Sequence, residues 1–82
     1  MITGGQIRAA RTALRWTAMD LAKEANLTQR TIIRLEACDG IPNSTVKTLT
    51  RVKISLESAG IEFIGTPDDG PGIRIYSAPS KT

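Results

Sequence analysis

The sequence contains no histidine, and it has one cysteine, Cys38, among its 82 residues. A chain without histidine lacks the commonest general base, the Ser-His-Asp triad and most zinc-hydrolase ligand sets. A single cysteine excludes an internal disulfide and a thiolate metal cluster, so we interpret Cys38 as a small packing side chain rather than as half of an intermolecular disulfide. We therefore predict that the protein is not an enzyme and binds neither a metal nor a cofactor.

Aromatic residues and long apolar runs are also scarce. Only 4% of the residues are aromatic, and no apolar run is long enough for a signal peptide or a membrane span. With 82 residues the chain has room for one small core and for no large substrate pocket. A core of that size favours additional stabilisation by self-association. These features predict a small cytoplasmic domain.

Positive charge is concentrated in the first sixty residues. Residues 1–60 contain nine Lys or Arg against five Asp or Glu, whereas residues 61–82 contain two against three. The net charges of the two segments are therefore +4 and −1. The basic segment is also the one with helical periodicity, an arrangement that suits a polyanionic partner such as nucleic acid.

Apolar stripes and capping residues predict four helices in the basic segment. The helices are predicted over residues 4–14, 17–25, 28–37 and 44–59. Their N-caps are predicted to be Thr3, Thr17, Thr28 and either Asn43 or Ser44. Asn26 is predicted to take the left-handed conformation between the second and third helices, because asparagine tolerates a positive φ. The stripe of the fourth helix comprises Val46, Leu49, Val52, Leu56 and Ala59.

The pattern changes after Gly60, where short β-branched and aromatic runs replace the helical stripes. Two strands are predicted over residues 61–64 and 73–76, joined by a loop rich in glycine, proline and aspartate over 65–72. A lone hairpin is marginal in water, so it must pack on the helices or pair with another chain. We predict that its apolar residues carry dimerisation: Ile61, Phe63, Ile73 and Ile75. Residues 77–82 are predicted to be a flexible tail.

Residues 17–37 carry the strongest functional signal. They read as two short helices joined by a tight turn, and the second helix places Gln29, Arg30 and Arg34 about one turn apart on its exposed side. Glutamine and arginine can each grip a base edge through two hydrogen bonds. The pattern therefore predicts a helix-turn-helix whose second helix enters the DNA major groove, rather than a merely solvated charged face.

Several motifs in this region occur together. These are the segment Ile7-Arg8-x-x-Arg11, the pair Leu21-Ala22 and the run Thr28-x-x-Thr31-Ile32-x-x-Leu35-Glu36. Over about Ile2 to Leu56, the chain resembles the Cro/cI-type helix-turn-helix regulators, also called the xenobiotic-response-element (XRE) family. The resemblance implies a mostly α fold, in which residues 1–60 form a four-helix lambda-repressor-like domain and residues 61–76 form a β-hairpin extension.

The resemblance also implies a role for individual residues. Base contacts are expected from Thr28, Gln29, Arg30, Thr31, Ile33 and Arg34, and phosphate contacts from Thr17, Lys23, Thr28 and Asn43. Thr17 is expected to approach a phosphate with its amide and its side chain. Arg11 and Glu36 are expected to form a structural ion pair between the first helix and the end of the third.

The chain departs from the family pattern at three places, and these departures leave two hypotheses. Ala18 stands where glutamine is common, the loop after the third helix lacks Lys and Arg, and Ile33 is apolar at a position that is usually polar. Ile33 could contact a thymine methyl group or belong to a protein interface. The first hypothesis is a sequence-specific, nucleoid-associated DNA-binding regulator of bacterial, phage or mobile-element type, acting as a homodimer on an inverted repeat. The alternative is an adaptor or antiactivator of the same fold that binds another transcription regulator.

Overall fold

The computed structural model describes residues 2–38, 40–66 and 68–76, which form four helices and one two-stranded antiparallel sheet. About half of the chain is helical. The elements follow in the order α1 (Gly4–Ala13), α2 (Ala18–Ala25), α3 (Gln29–Glu36), α4 (Val46–Ser58), β1 (Ile61–Thr66) and β2 (Asp69–Ile75). None of the described helices has the length and apolar character that a membrane crossing requires. The predicted tail over residues 77–82 lies outside the described residues.

A threonine caps each of the four described helices. In every case the side-chain oxygen accepts a hydrogen bond from the backbone N–H three residues further on; the caps are Thr3, Thr17, Thr28 and Thr45. The first three caps were predicted from the sequence. An N-cap of this kind typically stabilises a helix by about 1 kcal/mol, which matters for helices of eight to thirteen residues.

The fourth cap differs from the prediction. The cap is Thr45 rather than Asn43 or Ser44, and α4 begins at Val46, two residues later than predicted. Thr45 binds the Thr48 N–H at 3.1 Å, and its hydroxyl also donates to the Thr48 side chain at 2.9 Å. An N-cap side chain accepts a hydrogen bond from the backbone N–H three residues later in the chain, so this pair of bonds fixes the first turn of α4.

The connection between α2 and α3 is a tight left-handed turn. Asn26 has φ 58° and ψ 47°, so its predicted conformation is confirmed. The next residue, Leu27, donates its N–H to the Ala22 carbonyl at 2.8 Å and packs against the core. Arg15 also adopts a positive φ, of 61°, just after α1. The positive φ of Arg15 was not predicted, because glycine or asparagine is the usual residue at such a position.

The core contains apolar side chains from all four helices and from β1. Its buried members are Ile2, Ile7, Ala10, Leu21, Ala22, Ala25, Ile32, Leu35, Leu49, Val52, Leu56 and Ile61. The predicted stripe of α4 is correct at Leu49, Val52 and Leu56 and wrong at Val46, which is 68% exposed. Helical side chains tilt toward the N-terminus of their helix. The side chain of Val46, the first residue of α4, therefore points beyond the part of α4 that packs against α2.

The two strands form a hairpin within one chain and pack against α1 and α4. Ile61 pairs with Ile75 and Phe63 with Ile73, and the register shifts between Ile64 and Thr66. Both strands extend further toward the turn than predicted, so the connecting loop is shorter than the eight residues predicted over 65–72. Gly65 and Gly70 have φ of 76° and 62°, and a glycine accepts these angles inside a bulged pair without ending it.

Gln6 joins the start of α1 to the hairpin. Its side chain is buried, and its Oε1 accepts from the Thr3 N–H at 2.9 Å. Its Nε2 donates to the carbonyl oxygens of Ile64 at 3.2 Å and Gly72 at 2.9 Å. Because an unsatisfied buried amide is costly, these bonds hold the hairpin in one place on α1.

This packing corrects part of the predicted dimerisation surface. Ile61 is only 2% exposed and belongs to the core of its own chain, so it offers no surface to a second copy. Phe63 and Ile73 are partly buried against the same core. Only Ile75 remains largely exposed, at 56%. The prediction failed at Ile61 because periodicity shows that a strand has an apolar face but does not show which chain covers it.

Gly4 provides a test of how closely α1 and the end of α3 approach each other. A Cβ at Gly4 would lie 2.5 Å from the Leu35 carbonyl oxygen and would also clash with that of Cys38. We expect Gly4→Ala to lower the free energy of unfolding by about 1–3 kcal/mol, as overpacking does. Urea denaturation followed by circular dichroism measures the change.

Gly5→Ala is the matched control, since the nearest atom to its added Cβ is Thr3 Oγ1 at 3.8 Å. Alanine is the better helix former, so this variant should be unchanged or more stable by up to about 1 kcal/mol. Equal stability of the two variants would contradict the close approach.

Candidate nucleic-acid interface

Helix α3 has one buried side and one exposed side. Ile32 and Leu35 are fully buried and anchor the helix in the core. The opposite side carries four exposed side chains, which form the α3 strip: Gln29, Arg30, Ile33 and Arg34. The structure therefore turns toward solvent the glutamine and the two arginines that were predicted to contact bases.

The two arginines of the α3 strip have no carboxylate partner among the described residues. Neither Arg30 nor Arg34 donates a side-chain hydrogen bond within that part of the chain. Each guanidinium thus keeps its planar set of donors for an external acceptor, and this geometry matches phosphate oxygens or the O6 and N7 atoms of guanine.

Two threonine hydroxyls lie at the N-terminal end of α3. Thr28 Oγ1 accepts the Thr31 N–H at 3.2 Å, and the two hydroxyl oxygens are 2.9 Å apart in a shared hydrogen bond. Only one hydroxyl hydrogen is used in that shared bond, so the pair retains one donor for an external partner. Thr31 is half-buried, whereas Thr28 is exposed.

The N-terminus of α2 departs from the expected phosphate contact. The Thr17 N–H donates to Asp20 Oδ2 at 2.8 Å, and hydrogen bonds from the backbone and the side chain of Thr17 hold the pKa of Asp20 below its usual value. The amide predicted to approach a phosphate is therefore occupied by a carboxylate. The N–H groups of Ala18 and Met19 make no hydrogen bond within the described residues, and they are the donors that this end of α2 still offers.

Arg11 and Glu36 form the ion pair that the resemblance implied. Arg11 Nε lies 2.7 Å from Glu36 Oε2, and Arg11 Nη2 lies 2.9 Å from Glu36 Oε1. Arg11 Nη1 also donates to the Trp16 carbonyl at 2.8 Å. The hydrogen bonds that Arg11 donates to Glu36 raise the pKa of Arg11 above its ordinary value. One guanidinium thus connects α1, the end of α3 and the segment that leads into α2.

A shallow depression beside the α3 strip brings three helices together. It has a volume of about 280 Å³ and is lined by Arg8, Arg11, Ala18, Ile33, Glu36 and Ala37. No functional role was predicted from the sequence for Arg8 or Ala37. Arg8 could have been found from its position three residues before Arg11, because such residues lie on one side of a helix. No sequence pattern pointed to Ala37, because its neighbours are known only once the packing of the helices is known.

Two predicted phosphate contacts stand apart from this arrangement. Lys23 and Asn43 are exposed, but no hydrogen bond or ion pair connects either of them to the α3 strip within the described part of the chain. The described residues also contain no group of three His, Cys, Asp or Glu side chains that could hold a metal ion.

Comparison with known proteins adds no relative to this description. A scan against protein-family models gives no match, and neither does a search of curated proteins.

The fork geometry of Arg11 can be tested with a charge-conserving substitution. Lysine cannot bind both Glu36 oxygens and the Trp16 carbonyl at once, because it presents a point charge instead of a planar fork. We expect Arg11→Lys to lower the free energy of unfolding by about 1.5–3 kcal/mol, the range for hydrogen bonds to charged groups. Urea unfolding measures this loss.

Arg8→Lys, on the same side of α1, is the matched control. Arg8 is exposed and makes no side-chain hydrogen bond or ion pair to other described residues, so its replacement should change stability by less than about 0.5 kcal/mol. If both variants unfolded at the same urea concentration, Arg11 would not anchor α3.

Proposed function

We propose that this chain is a sequence-specific, double-stranded-DNA-binding transcription regulator of the helix-turn-helix type. In this proposal α2 and α3 are the two helices of the motif, and α3 enters the major groove. The observation that carries the proposal is the α3 strip, in which Gln29, Arg30 and Arg34 face outward from a helix fixed by Ile32 and Leu35. The resemblance to Cro/cI-type regulators supports the same assignment.

The dimensions of α3 suit a major groove. An α-helix with its side chains is about 10–12 Å in diameter, close to the width of about 12 Å of the major groove in B-DNA, so α3 could lie in the groove. Gln29 would pair with adenine N6 and N7, while Arg30 and Arg34 would each bind guanine O6 and N7. Each good bidentate pair contributes roughly 1–3 kcal/mol of discrimination against a wrong base.

Phosphate contacts would supply most of the affinity. Arg8 lies beside the depression next to Ile33, and with Lys23, Asn43, the Thr17 hydroxyl and the Ala18 amide it would bind the backbone on either side of α3. Asp20 opposes a phosphate close to the start of α2, so the strand would pass nearer to Arg8 than to the Thr17 amide. Binding would weaken steeply as the salt concentration rises.

A homodimer would read an inverted repeat. Two-fold symmetry would place the α3 helices of the two copies in successive major grooves, about 34 Å apart. Such a protein would regulate by occupying an operator, in the manner of phage and mobile-element regulators, and would work on the nucleoid.

The surface proposed for dimerisation is the outer edge of β2. The Tyr76 N–H donates to the Gly60 carbonyl at 2.8 Å, so these two residues form a hydrogen-bonded pair. Hydrogen-bonded and non-hydrogen-bonded pairs alternate along an antiparallel ladder, and the backbone groups of Ile73 and Ile75 therefore point away from β1. Ile75 and Tyr76 are 56% and 50% exposed beside this edge. An open edge with apolar side chains is a template for a second strand.

The second candidate function is an adaptor that binds another transcription regulator. Ile33 favours it, because a large apolar side chain that is 56% exposed on a polar helix face is typical of a protein interface.

The DNA proposal predicts a difference between specific and non-specific binding. Duplexes enriched from a randomised library by the wild-type protein serve as the specific probe, and scrambled versions serve as the non-specific probe. Arg30→Ala should weaken binding to the enriched duplex by roughly 5- to 150-fold, since it removes one bidentate base contact, and should weaken binding to the scrambled duplex much less. Fluorescence anisotropy measures both.

Arg74→Ala is the charge-matched control, because Arg74 lies on the hairpin and pairs with Glu62. It should affect the two duplexes equally and weakly. If the wild type enriched no duplex and did not bind DNA at low salt, the proposal would fail and the adaptor function would be favoured.

The dimer surface predicts that Ile75→Asp lowers self-association in sedimentation equilibrium, because it places a charge on the proposed contact. Ile54→Asp is the control, since Ile54 on α4 is equally exposed, at 56%. Both variants should fold. Dimers that are equally stable in the two variants would show that β2 is not the interface.

A further inference from the structure

Ile33 is the only apolar member of the α3 strip. It is 56% exposed, while the other three members, Gln29, Arg30 and Arg34, are polar or charged. In the middle of the proposed DNA-reading face, this side chain would contact an apolar group best, because it can neither accept nor donate a hydrogen bond to a base edge.

The surroundings of Ile33 form a small apolar step with a basic rim. Ala18 and Ala37 line the same depression as Ile33, so the three side chains offer methyl groups and no polar atoms. Two charged side chains that also line the depression, Arg11 and Glu36, are bonded to each other. Arg8 completes the rim and has no partner among the described residues.

The charge around this apolar step favours DNA over a protein as its occupant. Arg8, Arg30 and Arg34 carry positive charge with no described carboxylate partner, which suits a polyanion.

The major groove presents a single kind of apolar group, the 5-methyl of a pyrimidine. Any other base edge placed against Ile33 would lose its water without gaining a hydrogen bond. We propose that Ile33, flanked by Ala18 and Ala37, reads a pyrimidine 5-methyl group and thereby fixes one position of each half-site. This inference rests on the proposed DNA-binding function.

The methyl group can be removed without any other change by replacing thymine with uracil. In the duplexes enriched by the wild-type protein, each thymine of a half-site is replaced in turn by uracil. At one position we expect the wild type to lose about fourfold in affinity, the equivalent of about 0.8 kcal/mol for one buried methyl group. Ile33→Ser should show no loss at that position, whereas Ile33→Val should retain part of it.

Two sources of the methyl group are distinguished at the same position by cytosine and 5-methylcytosine, each opposite guanine. Tighter binding of 5-methylcytosine than of cytosine would show that Ile33 reads the methyl group on either base. Equal binding would assign the contact to thymine alone. Either result is compatible with the proposal, provided that thymine binds more tightly than uracil.

The proposal is overturned if no thymine-to-uracil change discriminates Ile33→Ser from the wild type. Ile54→Ser, on an equally exposed isoleucine of α4, controls for general effects of the substitution, and circular dichroism verifies that each variant is folded. Failure to enrich any duplex would instead refute DNA binding itself. Enrichment that depends on Arg30 but on no methyl group would refute only the role of Ile33.

Discussion

The position of α3 depends on the ion pair between Arg11 and Glu36. A helix of eight residues is not stable by itself in water, so its orientation must come from contacts with the rest of the fold. Ile32 and Leu35 fix its depth in the core, and the guanidinium fork fixes its C-terminal end against α1. The third bond of the fork, to Trp16, connects this arrangement to the start of α2. The exposed side of α3 is thus held by a scaffold, as a surface that reads bases has to be.

Negative and positive side chains lie in different parts of the surface formed by α2 and α3. Asp20 stabilises α2 through its bond to the Thr17 N–H, and its low pKa keeps it ionised at the helix N-terminus. That charge weakens the attraction of this terminus for phosphate, which the helix dipole would otherwise provide. The guanidinium groups of Arg8, Arg30 and Arg34, which have no carboxylate partner within the part of the chain that the structure describes, lie elsewhere on the face. In the proposed complex, a DNA backbone that follows the positive potential would therefore pass close to Arg8, Arg30 and Arg34 and further from the start of α2.

The features that could be predicted from the sequence are those with local causes. The caps at Thr3, Thr17 and Thr28 and the left-handed Asn26 depend on neighbours within a few residues. The contacts that could not be predicted are those between segments that are far apart in the sequence. Gln6 binds carbonyl groups 58 and 66 residues away, and no periodicity encodes such partners. The candidate site divides in the same way: the exposed α3 residues were predicted from spacing, whereas the Arg8 and Ala37 surroundings of Ile33 required the packed helices.

The short connection between α4 and the hairpin has a consequence for how copies of the chain can associate. Helix α4 ends at Ser58 and β1 begins at Ile61, and the Tyr76 N–H bond to Gly60 closes the base of the hairpin at once. Proteins that exchange segments between subunits do so by opening a connecting loop into a hinge. Transfer of this hairpin to a second copy would have to break the Gln6 bonds to Ile64 and Gly72 and withdraw Ile61 from the core. In the proposed homodimer, each hairpin would therefore stay packed on its own helices, and the two copies would separate as folded chains on dilution.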